Sequence, residues 1–423
     1  MKLVLKNALV FSGDGFVKND IIINDSKISA IGVSVSSDGA ERVIDCKNNY
    51  LIPGFADVHI HLREPGFSYK ETIKTGTEAA AAAGYTDVCS MPNVNPVPDS
   101  VEGMKAQTDI IERDAVIKVH PFASITKGRT GGGELAPFES LKDIAVGFSD
   151  DGCGVQKEAD MKAAMEKCAA LGKVISAHCE VNELLKGGYI HDGEYARLHN
   201  HKGICSESEW VQIERDCRLA EETGCRYHVC HISTKESVEI IRKAKARGVC
   251  VTCETAPHYL TLCDMDIKED GRFKMNPPLR SAQDRQALIE GLCDGTIDVI
   301  ATDHAPHSKE EKSKGLEGSA MGIVGLETAF PVLYTKLVKP GIISLEKLVN
   351  LMSVKPREIF NLGSGKIAVG ETADLALIDI NKEFSVNPDE FKSMGRATPF
   401  EGWRLCGKNI LTICEGEIVY EAI

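Results

Sequence analysis

Two kinds of hydrophobic pattern divide the chain. Residues 1–52 and residues 363–423 contain short apolar runs separated by turn residues, which is typical of β-strands. Asp20-Ile-Ile-Ile-Asn near one end and Leu411-Thr-Ile-Cys near the other are examples. Neither end holds enough apolar residues for a core of its own. We therefore predict that both ends combine into one small β-sandwich domain.

Residues 53–362 alternate short β-rich runs with helical patterns, which indicates a parallel α/β architecture. Eight runs lie near residues 54–61, 86–92, 116–125, 145–151, 173–179, 226–232, 249–256 and 297–303. A helix is predicted over 69–83, ended by Gly84. Eight strands within residues 53–362 favour a closed (β/α)8 TIM-type barrel. A doubly wound open sheet is the rival fold.

Reactive side chains favour the closed sheet, because they fall at the ends of five separate runs. They are His59, His61, Asp151, His178, His231 and Asp303. Chemistry collects at the carboxyl ends of barrel strands, and five strand ends converge only if the sheet closes. No glycine-rich phosphate-binding pattern follows the first run, which removes the usual reason for an open sheet.

The first run predicts how its histidines are oriented. Side chains alternate in a strand, so one set should face the interior and the other the covering helices. The interior set is Asp57, His59, His61 and Arg63, and the helix-facing set is Ala56, Val58, Ile60 and Leu62.

Four histidines and two aspartates suit zinc best, with manganese or cobalt as alternatives. Six ligands exceed one tetrahedral site, so two ions about 3.5 to 4 Å apart would use them all. We choose Asp151 over its neighbour Asp150, and His231 over His228, because each lies nearer its strand end. His228 should pack or support the ligands. The remaining histidines are expected to be structural: His120, His191, His199 and His201.

Composition limits the classes of partner that the protein is expected to bind. The net charge of −13 argues against nucleic acid or an acidic membrane, and an acidic substrate would need a local cationic site. The 15 cysteines are scattered through apolar segments, as reduced thiols are. The pair Cys250-Val-Thr-Cys253 should send its sulfurs to opposite strand faces. The absence of a signal-peptide layout and of a long apolar run predicts a cytoplasmic location.

A series of short motifs resembles one enzyme family. They are Asp57-Val-His-Ile-His-Leu-Arg-Glu-Pro-Gly66, Met91-Pro-Asn93, Ser149-Asp-Asp-Gly152, Ala177-His-Cys-Glu180, His231-Ile-Ser233, Ala256-Pro-His-Tyr259, Met275-Asn-Pro-Pro-Leu-Arg280 and Ala301-Thr-Asp-His-Ala-Pro-His307. This ordered set, spread along the whole chain, is similar to that of the dihydroorotases, in particular the long bacterial class within the cyclic amidohydrolase superfamily.

The resemblance implies a ligand set and a reaction. His59 and His61 would bind one zinc ion, His178 and His231 a second, and Asp151 would bridge them, with Asp303 as a further ligand. Many superfamily members bridge with a carboxylated lysine, but no lysine lies at this strand end, so none is predicted. Dihydroorotases interconvert N-carbamoyl-L-aspartate and dihydroorotate in pyrimidine synthesis. Zinc lowers the pKa of bound water to about 7, and Asp303 would move the proton to the leaving nitrogen.

Substrate recognition is also implied by the resemblance. Arg63 would clamp the substrate carboxylate as a planar donor, with Asn93 and His307 completing the clamp. The ring amide edge would contact Asn276 and the backbone of Met321 and Gly322, and His61 would also touch the substrate. The segment 309–318 is charged and contains glycine, which indicates either a mobile loop near the site or a solvated turn.

Two alternatives stay open. Another cyclic amidohydrolase, an allantoinase or a hydantoinase, would act on a neutral ring and lack the Leu62-Arg63-Glu64 arrangement. A catalytically dead scaffold of a pyrimidine-pathway complex would be expected to lose metal ligands, and none is missing here. The resemblance leaves open a homodimer and an association with aspartate transcarbamoylase.

Overall fold

A computed structural model describes residues 2–423, which form a mixed α/β fold. The strands are β1 Lys2–Phe11, β2 Phe16–Asn24, β3 Lys27–Gly32, β4 Arg42–Asp45, β5 Tyr50–Pro53, β6 Phe55–Ile60, β7 Tyr85–Ser90, β8 Lys118–Pro121, β9 Val174–Ala177, β10 Ile190–His191, β11 Gly203–Ile204, β12 Arg226–Val229, β13 Val251–Thr255, β14 Val299–Ile300, β15 Leu375–Ser385, β16 Arg404–Cys414 and β17 Glu417–Glu421.

The helices lie mainly between the parallel strands. They are α1 Ile73–Ala83, α2 Val101–Asp114, α3 Phe138–Leu141, α4 Glu158–Leu171, α5 Glu194–His199, α6 Glu207–Thr223, α7 Lys235–Ala246, α8 Pro257–Thr261, α9 Ala282–Asp294, α10 Lys309–Lys312, α11 Gly315–Gly318, α12 Ala329–Leu333, α13 Leu345–Val349 and α14 Lys355–Phe360.

Both chain ends share one sheet. Its strand order is β17-β16-β15-β5-β1-β2-β3, and β4 pairs with β1. The junction is the antiparallel pair β5–β15, where Leu51 lies opposite Leu377. Buried aliphatic side chains from the two ends form one apolar cluster, with Leu3, Leu5, Ile21, Ile23, Leu51, Leu375, Leu377 and Ile413 among its members. Both ends thus lie in a single hydrogen-bonded sheet, which is consistent with the predicted union of the two ends.

The middle of the chain forms parallel strands whose pairing returns to its start. One sheet has the order β6-β7-β8 and another β14-β13-β12-β9. Phe148 forms parallel bridges to Ala123 on one side and Ile175 on the other. A parallel bridge between Ile60 and His304 joins the last segment to the first. Backbone pairing therefore runs through all eight segments and back to β6.

Seven of the eight predicted runs form regular strands, but in the run near 145–151 the β-bridges are confined to Phe148. The neighbouring carboxylate explains the irregularity. Asp150 accepts the backbone N–H groups of Ile125, at 2.8 Å, and Thr126, at 3.1 Å, so these amides do not extend the ladder.

The sequence predicts that Ala56 and Val58 in β6 face the covering helices, and this prediction is wrong. These side chains pack in a cluster drawn from several strands, whereas Ile60 packs with residues of helix α1 in another cluster. The β6–β7 register shifts between Asp57 and Ile60. A register irregularity of this kind moves later side chains to the other face, which a strict period of two cannot anticipate.

Helix α1 is shorter than the predicted 69–83 and begins at Ile73. The side chain of Thr72 caps it by accepting the N–H of Thr75 at 3.1 Å, and Glu64 accepts the N–H of Ile73 at 2.9 Å. These side chains fix the start of the helix. Its predicted end at Gly84 is confirmed, with a left-handed φ of 95°.

The cysteines match the reduced-thiol prediction. All 15 are free thiols, and in the C-x-x-C pair Cys250 is exposed while Cys253 is buried. Across residues 2–423, no helix combines the length and the apolar character needed to span a membrane.

Candidate metal centre

A cavity of about 250 Å³ collects the predicted functional residues except His59, which is fully buried behind its lining. Its lining is His61, Arg63, Asn93, Asp151, Gly152, His178, His231, Asn276, Asp303, Ala305, His307, Met321 and Gly322. All seven residues predicted to contact substrate are in this lining. They come from segments more than 200 residues apart in the chain, brought together by the parallel pairing.

Two groups of potential metal ligands share Asp151. One is His59, His61 and Asp151, and the other is Asp151, His178 and His231. Within each group the ligand atoms lie within 4.8 Å of one another, and every member is buried. The structure thus divides the histidines into the same two pairs as the resemblance implied.

The distances place Asp151 between the pairs. Its Oδ1 lies 3.4 Å from His59 Nε2 and 3.5 Å from His231 Nε2, and its Oδ2 lies 3.6 Å from His61 Nε2. His178 Nδ1 lies 3.0 Å from His231 Nε2. The nitrogen and oxygen atoms of the two groups thus converge on common points in space, and they do not each accept a hydrogen bond from a donor of their own.

Unpartnered atoms test whether a cation fits. His59 Nε2 and Asp151 Oδ1 are buried and make no hydrogen bond. Buried polar atoms are normally satisfied, and a divalent ion bound by lone pairs of nitrogen and oxygen would satisfy both. The donor set therefore fits a metal cofactor.

Asp303 approaches the first pair from the end of β14. Its Oδ1 lies 3.0 Å from His61 Nε2 and 3.6 Å from His59 Nε2. Burial by itself would raise the pKa of this carboxyl, but the hydrogen bond with His61 and the nearby imidazoles lower it below its usual value. Asp303 is thus a carboxylate that can accept a proton.

Glu254 supports His59 and was missed by sequence analysis. This fully buried carboxylate accepts the Nδ1–H of His59 at 2.7 Å, which leaves the lone pair of Nε2 free for a metal. Burial would raise the pKa of Glu254, but His59 and His228 hold it well below its usual range. Its only signal in the sequence was an acidic residue inside the apolar run near 249–256.

His228 has the supporting role predicted for it. Its Nε2 lies 3.1 Å from Glu254 Oε2, and its Nδ1 lies 2.7 Å from Thr252 Oγ1. Asp150 is likewise turned away from the cavity, toward backbone amides. The later residue of each pair, Asp151 or His231, is the one that lines the cavity.

Arg63 provides the cationic side of the cavity. Its Nε donates to the carbonyl of Pro306 at 3.1 Å, and its Nη2 lies 3.3 Å from His307 Nε2. Burial and the adjacent guanidinium lower the pKa of His307 to about 3, so this ring is neutral. His307 Nε2 donates to the carbonyl of Met321 on the opposite wall at 2.8 Å, so this nitrogen has no lone pair left for Arg63.

Two amide side chains complete the lining. Asn93 Nδ2 donates to the backbone carbonyl of Asp151 at 2.9 Å, while its Oδ1 is buried without a partner. Asn276 Nδ2 donates to Glu180 Oε1 at 2.8 Å. Glu180 was not selected from the sequence, although it lies two residues after His178.

Backbone conformation singles out three of these residues. Arg63, His231 and Asp303 have φ values of 61°, 32° and 48°. Such values are uncommon for residues other than glycine, and they cluster at functional sites because the surrounding structure must impose them.

The four histidines that were predicted to be structural make their contacts outside the cavity. His120 pairs with Asp87, His191 with Arg280, and His201 with Glu269. His199 stacks on Tyr195 with ring centroids 4.2 Å apart.

The chain is similar in sequence to known dihydroorotases. A family model described as dihydro-orotase-like matches residues 48–237. The chain is 50% identical to the dihydroorotase of Geobacillus sp. (strain WCH70), with 100% of this chain and 99% of that protein covered. It is 48% identical to the dihydroorotase of Bacillus cytotoxicus over the same shares.

Solved structures give the same architecture. The L-hydantoinase (dihydropyrimidinase) of Arthrobacter aurescens superposes with a TM-score of 0.89 at 28% identity, covering 99% of this chain and 96% of that one. A D-hydantoinase superposes with a TM-score of 0.88 at 23% identity, covering 100% and 95% of the two chains. Because its sequence matches the two bacterial dihydroorotases over its full length, the chain belongs to the dihydroorotase family.

Proposed function

We propose that this chain is a dihydroorotase, which interconverts N-carbamoyl-L-aspartate and dihydroorotate with loss or gain of water. The observation that carries the proposal is the placement of Arg63 in the same cavity as His61, Asp151, His178 and His231. A ring that bears a carboxylate would need both a cation and a hydrolytic centre. In a chain of net charge −13, Arg63 supplies that cation locally.

The proposed cofactor is a pair of zinc ions. His59 and His61 would hold one ion and His178 and His231 the other, with Asp151 between them. Zinc would supply a Lewis acid and would acidify a bound water. Glu254 would fix the tautomer of His59 through the 2.7 Å hydrogen bond.

Asp303 is proposed as the catalytic acid and base. In ring opening, water adds to the ring carbonyl carbon and gives a proton to the Asp303 carboxylate. The ring C–N bond then breaks, and Asp303 returns the proton to the leaving nitrogen. Ring closure is the reverse: Asp303 removes the proton of the carbamoyl nitrogen, and water leaves. Proton transfer by a positioned group is worth about 10²- to 10⁴-fold in rate.

Substrate orientation would come from the cavity walls. The Arg63 guanidinium, with Asn93 and His307 beside it, would hold the carboxylate. Asn276 and the backbone of Met321 and Gly322 would hold the amide edge, and His61 would lie against the reacting carbonyl. Fixed donors of this kind raise rates by orienting the reactants.

The finer architecture is also proposed. We interpret the eight parallel segments as a (β/α)8 barrel over residues 53–362, and the terminal sheet as a β-sandwich of residues 1–52 and 363–423. The homodimer and the association with aspartate transcarbamoylase stay predictions from the resemblance.

A hydantoinase is the second candidate, because solved hydantoinases share the fold. An activity panel separates the two. We expect turnover of dihydroorotate and N-carbamoyl-L-aspartate, and none of allantoin or hydantoin. The reverse pattern would overturn the proposal, and protein with normal metal content but no activity on any ring would point to a scaffold.

A further inference from the structure

A buried lysine anchors the segment that follows His307. Lys312, at the end of helix α10, is only 7% exposed. Its Nζ donates to the backbone carbonyls of Ala320 at 2.7 Å, Gly322 at 2.7 Å and Lys274 at 3.0 Å. These bonds use all three donors of the ammonium.

The three carbonyls belong to two walls of the cavity. Gly322 lines the cavity itself, and Lys274 lies two residues before Asn276. The N–H of Gly322 also donates to the carbonyl of Lys274 at 3.1 Å. Lys312 therefore joins the Met321–Gly322 wall to the Asn276 wall at one point.

The attachment is reciprocal. Lys274, itself buried, donates its Nζ to the carbonyl of Glu317 at 2.7 Å. A Cβ at Gly271 would lie 2.3 Å from the Lys312 carbonyl oxygen, so the two segments approach closely. Two lysine side chains thus hold the segment 309–318, although most of its other residues are exposed.

Burying this ammonium is unfavourable. Desolvation, with the neighbouring Lys274, lowers the pKa of Lys312 to about 7. Every hydrogen bond of its Nζ is to a backbone carbonyl, so no carboxylate pairs with it directly, and the charges of Asp270 and Glu311 offset the burial only in part. An apolar side chain would avoid this cost but would leave the three carbonyls without this donor. A role for the three donors accounts for the lysine.

We propose that Lys312 is a positioning residue for substrate binding. By holding the carbonyls of Lys274, Ala320 and Gly322 together, it sets the distance between Asn276 and the Met321–Gly322 backbone. Lys312 does not line the cavity, so it acts through these groups. The inference rests on the proposed function, in which both walls contact the amide edge of the substrate.

The test is Lys312→Met, which keeps an unbranched chain and removes all three donors. We expect KM for dihydroorotate to rise about 10-fold, with kcat changed by less than about 3-fold and metal content unchanged. Amide hydrogen exchange of residues 312–322 should accelerate by about 10-fold or more. The matched control is Lys309→Met, which removes an exposed lysine of the same helix. It should change neither KM nor the rate of amide hydrogen exchange.

A second variant guards against a folding defect. Lys274→Met removes the reciprocal bond to Glu317 and the contact of the ammonium with the Tyr189 ring but leaves the three bonds of Lys312, so it should raise KM in the same direction by a smaller factor. If Lys312→Met does not fold, an unchanged KM in Lys274→Met overturns the inference.

The possible results separate the inference from the proposed function. An unchanged KM in a folded Lys312→Met, or a fall in kcat alone, would mean that the lysine is merely structural. Equal effects in the Lys309→Met control would overturn the role as well. A wild-type enzyme that does not turn over dihydroorotate would refute the proposed function first, and the substrate role of Lys312 with it.

Discussion

At the scale of single residues, the same side-chain types take different roles according to their partners. Asp150 and Asp151 are adjacent, yet one accepts backbone amides and the other lies between two histidine pairs. His228 and His231 differ in the same way. Substitutions at this scale can therefore separate recognition, proton transfer and ligand support.

Arg63 tests recognition. Arg63→Ala should raise KM for dihydroorotate by about 10- to 100-fold, because charge-assisted hydrogen bonds to the substrate carboxylate are lost. Steady-state kinetics with metal analysis measures both quantities, and metal content should stay normal. Arg63→Lys keeps the charge without the planar fork and should recover only part of the affinity. Unchanged affinity in Arg63→Ala would remove the recognition role.

Asp303 tests proton transfer. Asp303→Asn keeps the size of the side chain but cannot accept a proton, so kcat should fall by about 10²-fold or more. The fold, followed by circular dichroism, and most of the bound metal should persist. A near-normal rate would require a different proton carrier.

A substitution of Glu254 tests whether this residue supports the metal ligand His59. Glu254→Gln should weaken metal affinity by about 10- to 100-fold, since it removes the carboxylate that fixes His59. Competition against a chelator of known affinity gives the measurement. Glu290→Gln, an exposed substitution, serves as the control. Equal affinities in both variants would contradict this role.

At the scale of elements, the ends of helices and strands decide how the layers meet. Helix α1 ends at Gly84, where an added Cβ would lie 3.3 Å from the Cβ of Ala376 in the terminal sheet. Helix α4 ends at Gly172, which also has a positive φ but nothing within 4 Å of the same position. These two glycines separate backbone strain from close packing.

The difference between the surroundings of Gly84 and Gly172 predicts that alanine substitutions there lower the stability by unequal amounts. Gly172→Ala should lower the free energy of unfolding by about 1 kcal/mol from backbone strain alone. Gly84→Ala should lower it by about 1 to 3 kcal/mol more, since the methyl group also crowds β15. Thermal unfolding of both variants gives the difference. Equal shifts would show that the terminal sheet yields without cost.

At the scale of the whole molecule, a bound metal would join strands from distant parts of the chain. A ligand that binds only the folded state stabilises it. Removal of metal by a chelator should therefore abolish activity and lower the midpoint of thermal unfolding, and added zinc should restore both. The matched control is Asp151→Asn, whose midpoint should respond much less. A wild-type midpoint insensitive to chelator would contradict a metal at this centre.

The sequence by itself determined which segments are strands and which side chains could do chemistry. Apolar periodicity located seven of the parallel strands and the two ends of the terminal sheet, because burial imposes a local pattern on each element. The positions of His59, His61, Asp151, His178, His231 and Asp303 were readable because few other residue types bind metals.

Only the tertiary structure decided how these pieces meet. The register shift in β6, the single-residue pairing of Phe148, the Glu254 support of His59 and the docking by Lys312 all depend on partners distant in the chain. Glutamate and lysine have no sequence pattern that marks them as buried, since their burial is stable only once specific acceptors or donors surround them. Local patterns specify elements, and the partners that make a buried charge tolerable exist only after the elements have packed.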